Sequence, residues 1–275
     1  MNINGILQVR AANAMRNASQ DREVSSQRLA TGKRINSAKD DAAGLAISVS
    51  MTSQIMGTRQ ALRNIGDGIA LAQTAQGALS QMTEALQRMR EIAVQSANGT
   101  YTEEQRGVLQ QEMVGLRDTY MSIMLSTEFN GKPLMGSRTP LPAPLEGSVW
   151  GETKITIQTG PASDDTIEGN FDLSFLPVFD VSTGNTSVIS DIDEAIDDTV
   201  QIAAKYGAFH SRLESAAQAA MTSMVNIADA RSRISDARYD QETTDLAKSL
   251  ILENAASAMM AQANMNMRNV IALLK

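Results

Sequence analysis

The chain has no cysteine and only one histidine in 275 residues. No disulfide framework and no thiolate metal site can be built, although the redox compartment stays open. With His210 as the sole imidazole, the H-E-x-x-H pair of a zinc peptidase is excluded as well. Aromatic residues make up 4% of the chain, with a single Trp, too few for the core of a typical β-rich globule. There is no apolar run of the roughly 18 residues that a membrane-spanning helix needs, so no membrane insertion is expected. Lys and Arg (24) are outnumbered by Asp and Glu (31), giving a net charge of -7. A chain of that sign repels a phosphate backbone, and no nucleic-acid partner is expected. Residues 1–21 lack the apolar core and cleavage site of a secretory signal, and by composition alone the chain reads as cytoplasmic.

Alanine and 16 methionines stand in place of the missing aromatics, which suits long helices packing through small and pliable side chains. From about Ala42 the pattern runs without proline to Asn98, and Gly99 can take a left-handed cap. Asp40 and Asp41 lie where an N-cap oxygen and negative charge would start that helix. Leu62, Ile65, Ile69, Ala72, Leu79, Leu86 and Ala93 recur at spacings of three, four or their sum, as in a coiled-coil seam. A second helix opens at Thr102 with Gln105 three residues on, a capping box, and carries Leu109, Met113, Leu116, Tyr120 and Ile123. Asn130, Gly131 and Pro133 stop it. The short link at 98–100 makes the two helices antiparallel neighbours.

The helical period vanishes between Gly136 and Asn185, where most of the prolines and turn residues gather. Ile155 and Ile157 alternate with polar residues, as do Phe171, Leu173 and Phe175, with the turn-rich Thr159–Asp165 between them, so a β-hairpin is expected. Helix resumes at about Ser190 and runs past Arg231, with Ile196, Val200, Ala203, Phe209, Leu213 and Ala217 as its expected seam. The last helix offers Leu246, Leu250, Ala256, Met260, Ala263, Met267, Ile271 and Leu274 near a heptad period. The expected fold class is mainly α: long coiled-coil helices from both chain termini plus a small β-hairpin region in the middle. Helices of about 40 to 50 residues at ~1.5 Å each would be on the order of 60 to 75 Å long, the proportions of a rod.

The two ends are amphipathic but weakly apolar, and such helices are marginal alone in water. They are expected to order against copies of themselves through Ile6, Leu7, Met15, Leu250, Met260, Met267, Ile271 and Leu274. An ordinary helix pair within one subunit satisfies the same periodicity. Ala255, Ala256, Ala258, Ala261 and Ala263 allow close helix approach, and Met259, Met260, Met265 and Met267 fill irregular gaps. Arg34, Asn36, Asp40 and Asp41 crowd a link between helices, either as a turn fixed by charge-assisted hydrogen bonds or as a solvated loop. In the proline-rich Gly136–Gly151, Trp150 is either a core anchor or a sugar-stacking platform. The acidic run Asp191, Asp193, Glu194, Asp197 and Asp198 lacks the glycine turn and spacing of a calcium loop and reads as charge at a helix start.

Three stretches carry a family resemblance. SSQRLATGKRINSAKDDAAGLAIS at Ser25–Ser48, GDGIALAQTAQGALSQMTEALQRMREIAVQSANGT at Gly66–Thr100, and RSRISDARYD at Arg231–Asp240 with MAQAN at Met260–Asn264 resemble bacterial flagellins, in the family's order. The resemblance implies a structural subunit, with no enzymatic activity and no cofactor, that self-assembles into the flagellar filament for swimming. It implies export through the flagellum's own channel to the cell exterior. Its partners would be the chain itself in a helical homopolymer, an export chaperone, a cap protein, sister flagellins and a mammalian Toll-like receptor that senses flagellin.

The implied organisation is an inner-tube helix and spoke at 1–41, outer-tube helices at 42–135, a hairpin insert at 136–189, a returning outer-tube helix at 190–235 and an inner-tube helix at 236–275. By the same resemblance Arg34, Asn36, Asp40 and Asp41 belong to the spoke, and Arg88, Ile92 and Glu112 to receptor recognition. Ile92 replaces the family's leucine, and the middle is too short for large outer domains. Arg238 stands where an acidic residue is frequent, and Met267 replaces a frequent proline, which lets the last helix run on. A flagellin-like adhesin or glycan-binding protein using Trp150, and a hook-to-filament junction subunit, are the alternatives.

Overall fold

The computed structural model describes residues 3–135, 153–171 and 176–273. Five helices occur among them: α1 (Ile3–Thr31), α2 (Ala42–Ser96), α3 (Glu103–Ser126), α4 (Ser187–Ser235) and α5 (Tyr239–Leu273). Two short antiparallel ladders complete the order, β1 (Glu128–Phe129) with β2 (Lys132–Pro133), and β3 (Thr153–Gln158) with β4 (Thr166–Phe171). The chain divides into two units, one formed by residues 1–55 and 225–275, the other by 56–224.

The 56–224 unit has a hydrophobic core drawn from α2, α3 and α4. On α2 it takes Ile65, Ala72, Ala75, Leu79, Met82, Leu86, Met89, Ile92 and Ala93, the three-four stripe that the sequence displays. Leu62 and Ile69 stand at the edge of that stripe and are half-buried. Helix α3 starts as its composition dictates: Thr102 accepts from the Gln105 N–H while the Gln105 side chain accepts from the Thr102 N–H. Leu109, Met113, Tyr120 and Met124 are its buried residues.

On α4 the buried stripe is Val188, Ile192, Thr199, Ile202, Tyr206, Phe209 and Leu213. Val200, expected in the seam, is 50% exposed, because its neighbours in the stripe, Thr199 and Ile202, fix a face about one residue out of phase with it. Phe171 from β4 stacks on Tyr206 at 3.6 Å between centroids and meets Phe209 edge-on at 5.6 Å. Tyr206 donates its hydroxyl to the Leu134 carbonyl at 2.6 Å. Burial pushes its phenol well above the usual range. Irregular chain at 176–181 closes over α3, where Gln110 donates to the Phe179 carbonyl and accepts from the Val181 N–H.

Three local readings change. The turn at Asn130–Gly131 does more than stop α3: both residues have positive φ, 53° and 76°, the type I′ pattern that joins β1 to β2. The hairpin's return strand begins at Thr166, in register with Gln158, and is described as far as Phe171; Leu173 and Phe175 lie outside the described residues. Helix α4 begins at Ser187, where Asn185 accepts from the Ser187 N–H, and its first turn holds no acidic residue. The acidic run therefore lies one turn further in, on a solvated stretch where Asp193 pairs with Arg90 at 2.6 Å.

Candidate functional site

The unit formed by 1–55 and 225–275 is built on different terms. Helices α1 and α5 run antiparallel, with Gln8 donating to Asn264 at 3.0 Å, Arg22 pairing with Glu253 at 2.9 Å and Arg28 with Glu242 at 3.0 Å. Between them the seam is small and polar: Ala18, Ser25, Glu242, Ser249 and Ala256 are the buried residues. Glu242 opens α5, where a carboxylate suits the helix's positive end. One of its oxygens takes the Arg28 guanidinium while the other is buried without a partner.

The large apolar side chains of the pair point the other way. Ile6, Val9 and Val24 on α1, and Leu250, Ile251, Leu252, Met259 and Met265 on α5, are exposed. Two open grooves flank the pair. One, of about 510 Å³, is lined by Arg10, Ala11, Ala14 and Asp21 against Leu252, Ala255 and Met259. The other, of about 490 Å³, lies between Ala12, Met15, Ser19 and Met260. A face of this kind is costly in water unless another surface covers it.

The link from α1 to α2 is a fixed turn. The Asp40 carboxylate accepts from the Asn36 N–H at 3.0 Å and from the Ser37 N–H and hydroxyl at 2.9 and 3.1 Å. Those bonds, that from Asn36 first, hold its carboxyl below the ordinary value. Asn36 donates its side-chain amide to the Lys33 carbonyl. Asp41, not Asp40, caps α2, accepting from the Gly44 N–H at 2.8 Å. Only glycine fits there, since an added Cβ would stand 2.5 Å from Asp41 Oδ2 and 2.7 Å from Ile35 Cδ1.

The link from α4 to α5 pairs with the first one. Lys33 and Asp236 form an antiparallel bridge, with Arg34 N–H donating to the Ser235 carbonyl and Ala237 N–H to the Gly32 carbonyl. The Arg34 guanidinium donates to the Ile234 carbonyl at 2.7 Å and lies 3.7 Å from Asp41. Tyr239 donates to the Leu29 carbonyl at 2.8 Å. The pairing of the two links was not expected from sequence, since Asp236–Arg238 carry no turn signature of their own. Arg238, exposed, sits 3.6 Å from Asp240.

Of the residues that sequence singles out for packing, Ile6 and Leu250 are exposed, while Met15 and Met260 are half-buried along a groove. Leu274 and Trp150 lie outside the described residues, as do the side chains of Leu7, Met267 and Ile271. Helix α5 runs on through position 267 to Leu273. On the other unit, Arg88 is exposed and bridges Glu91 at 2.7 Å and Glu112 at 3.0 Å. Both acids raise its affinity for its proton, Glu91 foremost. Ile92, expected beside them as a contact, is 1% exposed and belongs to the core. It lies on the α2 stripe three residues from Met89, which turns it inward.

The arrangement is one of packed helices and two paired links. Among the described residues there is no cluster of metal-binding side chains, and no helix is long and apolar enough to cross a membrane. Its conspicuous feature is an uncovered apolar helix pair, and comparison with known proteins says what such a pair belongs to. Residues 3–138 match the bacterial flagellin N-terminal helical region and residues 189–274 the C-terminal helical region. The chain belongs to the bacterial flagellin family. It is 36% identical over 258 residues to a flagellin of Halalkalibacterium halodurans, spanning 90% of each chain. It is 35% identical over 260 residues to the flagellar filament 33 kDa core protein of Treponema phagedenis, spanning 90% of this chain and 91% of that one. A Bacillus subtilis flagellin matches at 35% identity over 278 residues, again across 90% of this chain. This flagellin is a structural subunit of the flagellar filament, a self-assembling polymer outside the cell, and it spans about nine-tenths of the length of the first two of these relatives.

Proposed function

We propose that α1 and α5 supply the packing that joins one subunit of the filament to the next. The observation that supports this is the inversion of the helix pair. Among the described residues its internal seam buries alanine, serine and the Glu242 carboxylate paired with Arg28, while Ile6, Val9, Val24, Leu250, Ile251, Leu252, Met259 and Met265 are exposed. Ile6, Leu7, Met15, Leu250, Met260, Met267, Ile271 and Leu274 form the joining set, burying apolar surface against neighbouring copies in a heterologous contact that repeats without closing. Arg34, Asn36, Asp40 and Asp41 act as a spoke that joins this pair to the start of its own α2.

Seeded growth followed by electron microscopy tests the assignment. Full-length protein forms filaments, and a version lacking residues 1–30 and 245–275 stays monomeric. Filaments from the truncated version would refute it.

The finer partners follow the family role. An export chaperone covers the apolar helices before the subunit leaves through the flagellum's channel, and a cap protein and sister flagellins meet it at the growing end. A mammalian Toll-like receptor contacts the exposed Arg88 and Glu112. Arg88→Ala removes receptor activation by the monomer in a reporter cell, and unchanged activation would sink that contact.

A further inference from the structure

A chain without cysteine has methionine as its most readily oxidised sulfur, and the structure sorts its methionines sharply. Met82, Met89, Met113, Met124 and Met135 are at most 1% exposed, all within the core of the 56–224 unit. Met259 and Met265 are 58% and 55% exposed, and both lie on the outward face of α5. Met259 follows the exposed Leu252 by one heptad and lines the same groove, beside Ala255 and opposite Ala11 and Ala14. Met265 follows the exposed Ile251 by two heptads. Each thioether therefore continues an apolar stripe that is open in the free subunit and, on the proposed packing, closed in the filament.

We infer that Met259 and Met265 are a modification site for hydroperoxides, and that their oxidation stops the subunit from joining a second copy. The inference rests on the assignment of α5 to the subunit interface. In the reaction a sulfur lone pair attacks one peroxide oxygen and the O–O bond breaks. The sulfur is oxidised by two electrons to the sulfoxide while the peroxide is reduced, and the proton on the transferred oxygen leaves with the departing hydroxide as water. A flexible apolar group becomes a polar one with a strong acceptor oxygen. Pressed against alanine and leucine of a neighbour, that oxygen has no donor to meet and is desolvated without compensation. Met56 and Met221, also exposed but on the other unit, serve as internal controls for reactivity.

The test treats full-length monomer and preformed filament with dilute hydrogen peroxide, maps the added oxygen by peptide mass spectrometry, and measures the critical concentration for seeded polymerisation. In the monomer, Met259 and Met265 gain oxygen at least ~10-fold faster than the core methionines. The critical concentration then rises about 10-fold or more, and methionine sulfoxide reductases restore it. The double variant Met259→Leu, Met265→Leu, read against its own untreated critical concentration, loses the response to peroxide. Oxidised parent that carries both oxygens yet polymerises normally overturns the inference, and so does a double variant that peroxide still inhibits. The filament arm separates the two levels: if Met259 and Met265 react there as fast as in the monomer, α5 is not in the interface and the packing assignment itself falls. Should the double variant polymerise poorly for other reasons, reductase rescue of the parent still decides.

Discussion

The two units bury opposite kinds of side chain. The 56–224 unit fills its interior with Tyr120, Tyr206, Phe171, Phe209 and a group of methionines and leucines. Among the described residues the helix pair α1–α5 buries alanine, serine and a carboxylate, and exposes Ile6, Val9, Val24, Leu250, Ile251 and Leu252. The first arrangement suits a body that must be stable as a single subunit. The second suits one that completes its core only when other chains arrive, since apolar burial is the dominant favourable term in folding and association alike. In this protein the difference between a domain and an interface comes down to which way the apolar stripe of a helix points.

The sharpest break of that comparison comes from truncating one large side chain in each unit. Phe209→Ala costs about 3–5 kcal/mol of subunit stability by urea unfolding, because it opens a cavity beside Phe171. Leu250→Ala, made on an exposed position, changes monomer stability by no more than about 0.5 kcal/mol while raising the critical concentration for polymerisation. Equal losses of monomer stability would erase the contrast.

Next in size is Arg28→Ala. It strands the Glu242 carboxylate and costs about 2–3 kcal/mol, below the full penalty of a broken buried pair because the Arg28 side chain keeps 30% exposure. Hydrogen exchange should quicken along α1 and α5 and leave the 56–224 core amides unchanged. Thr102→Ala removes the capping box of α3 and lowers the stability of the aromatic-cored unit by about 1 kcal/mol, with no effect on α1–α5 exchange.

The smallest effect is acid-dependent. The Asp40 carboxyl is held below its ordinary value of 3.8, so its contribution to the turn is complete above that pH and is lost as pH falls through the lower folded value. Asp40→Asn should flatten the acid limb of exchange at Asn36 and Ser37 and quicken their exchange above pH ~5, where the carboxylate's contribution is complete. A wild-type turn that loosens near neutrality would contradict this.

Much of the fold could be read from the sequence because long helices repeat their signal. The α2 stripe is displayed many times over, and the Thr102–Gln105 box marks a helix start by chemistry that tolerates few other readings. The phase of α4 was harder: valine and threonine compete for the seam at 199–200, and the threonine takes it, its hydroxyl 3.5 Å from that of Tyr120. Ile92 was misplaced for a related reason, since a family contact and a core position can share one helix turn. The β1–β2 ladder was hidden by its brevity, although the Asn130–Gly131 pair was its signature. Inside or outside is the hardest property of the helix pair to read. Heptad spacing shows that a stripe exists on α5, but whether the stripe meets α1 or another chain depends on which residues α1 offers opposite it.

The bridge between Lys33 and Asp236 also imposes an order in time. It joins residues some two hundred positions apart, and the Arg28–Glu242 and Gln8–Asn264 contacts behind it span even more of the chain. Helix α1 cannot find its partner until nearly all of the sequence has emerged, so it must wait as an unpaired, marginal segment while α2, α3 and the core they share are free to form from closer contacts. The helix pair is therefore the part of the subunit that topology closes last. If it is the joining surface proposed above, adhesion is delayed until the rest of the chain has folded.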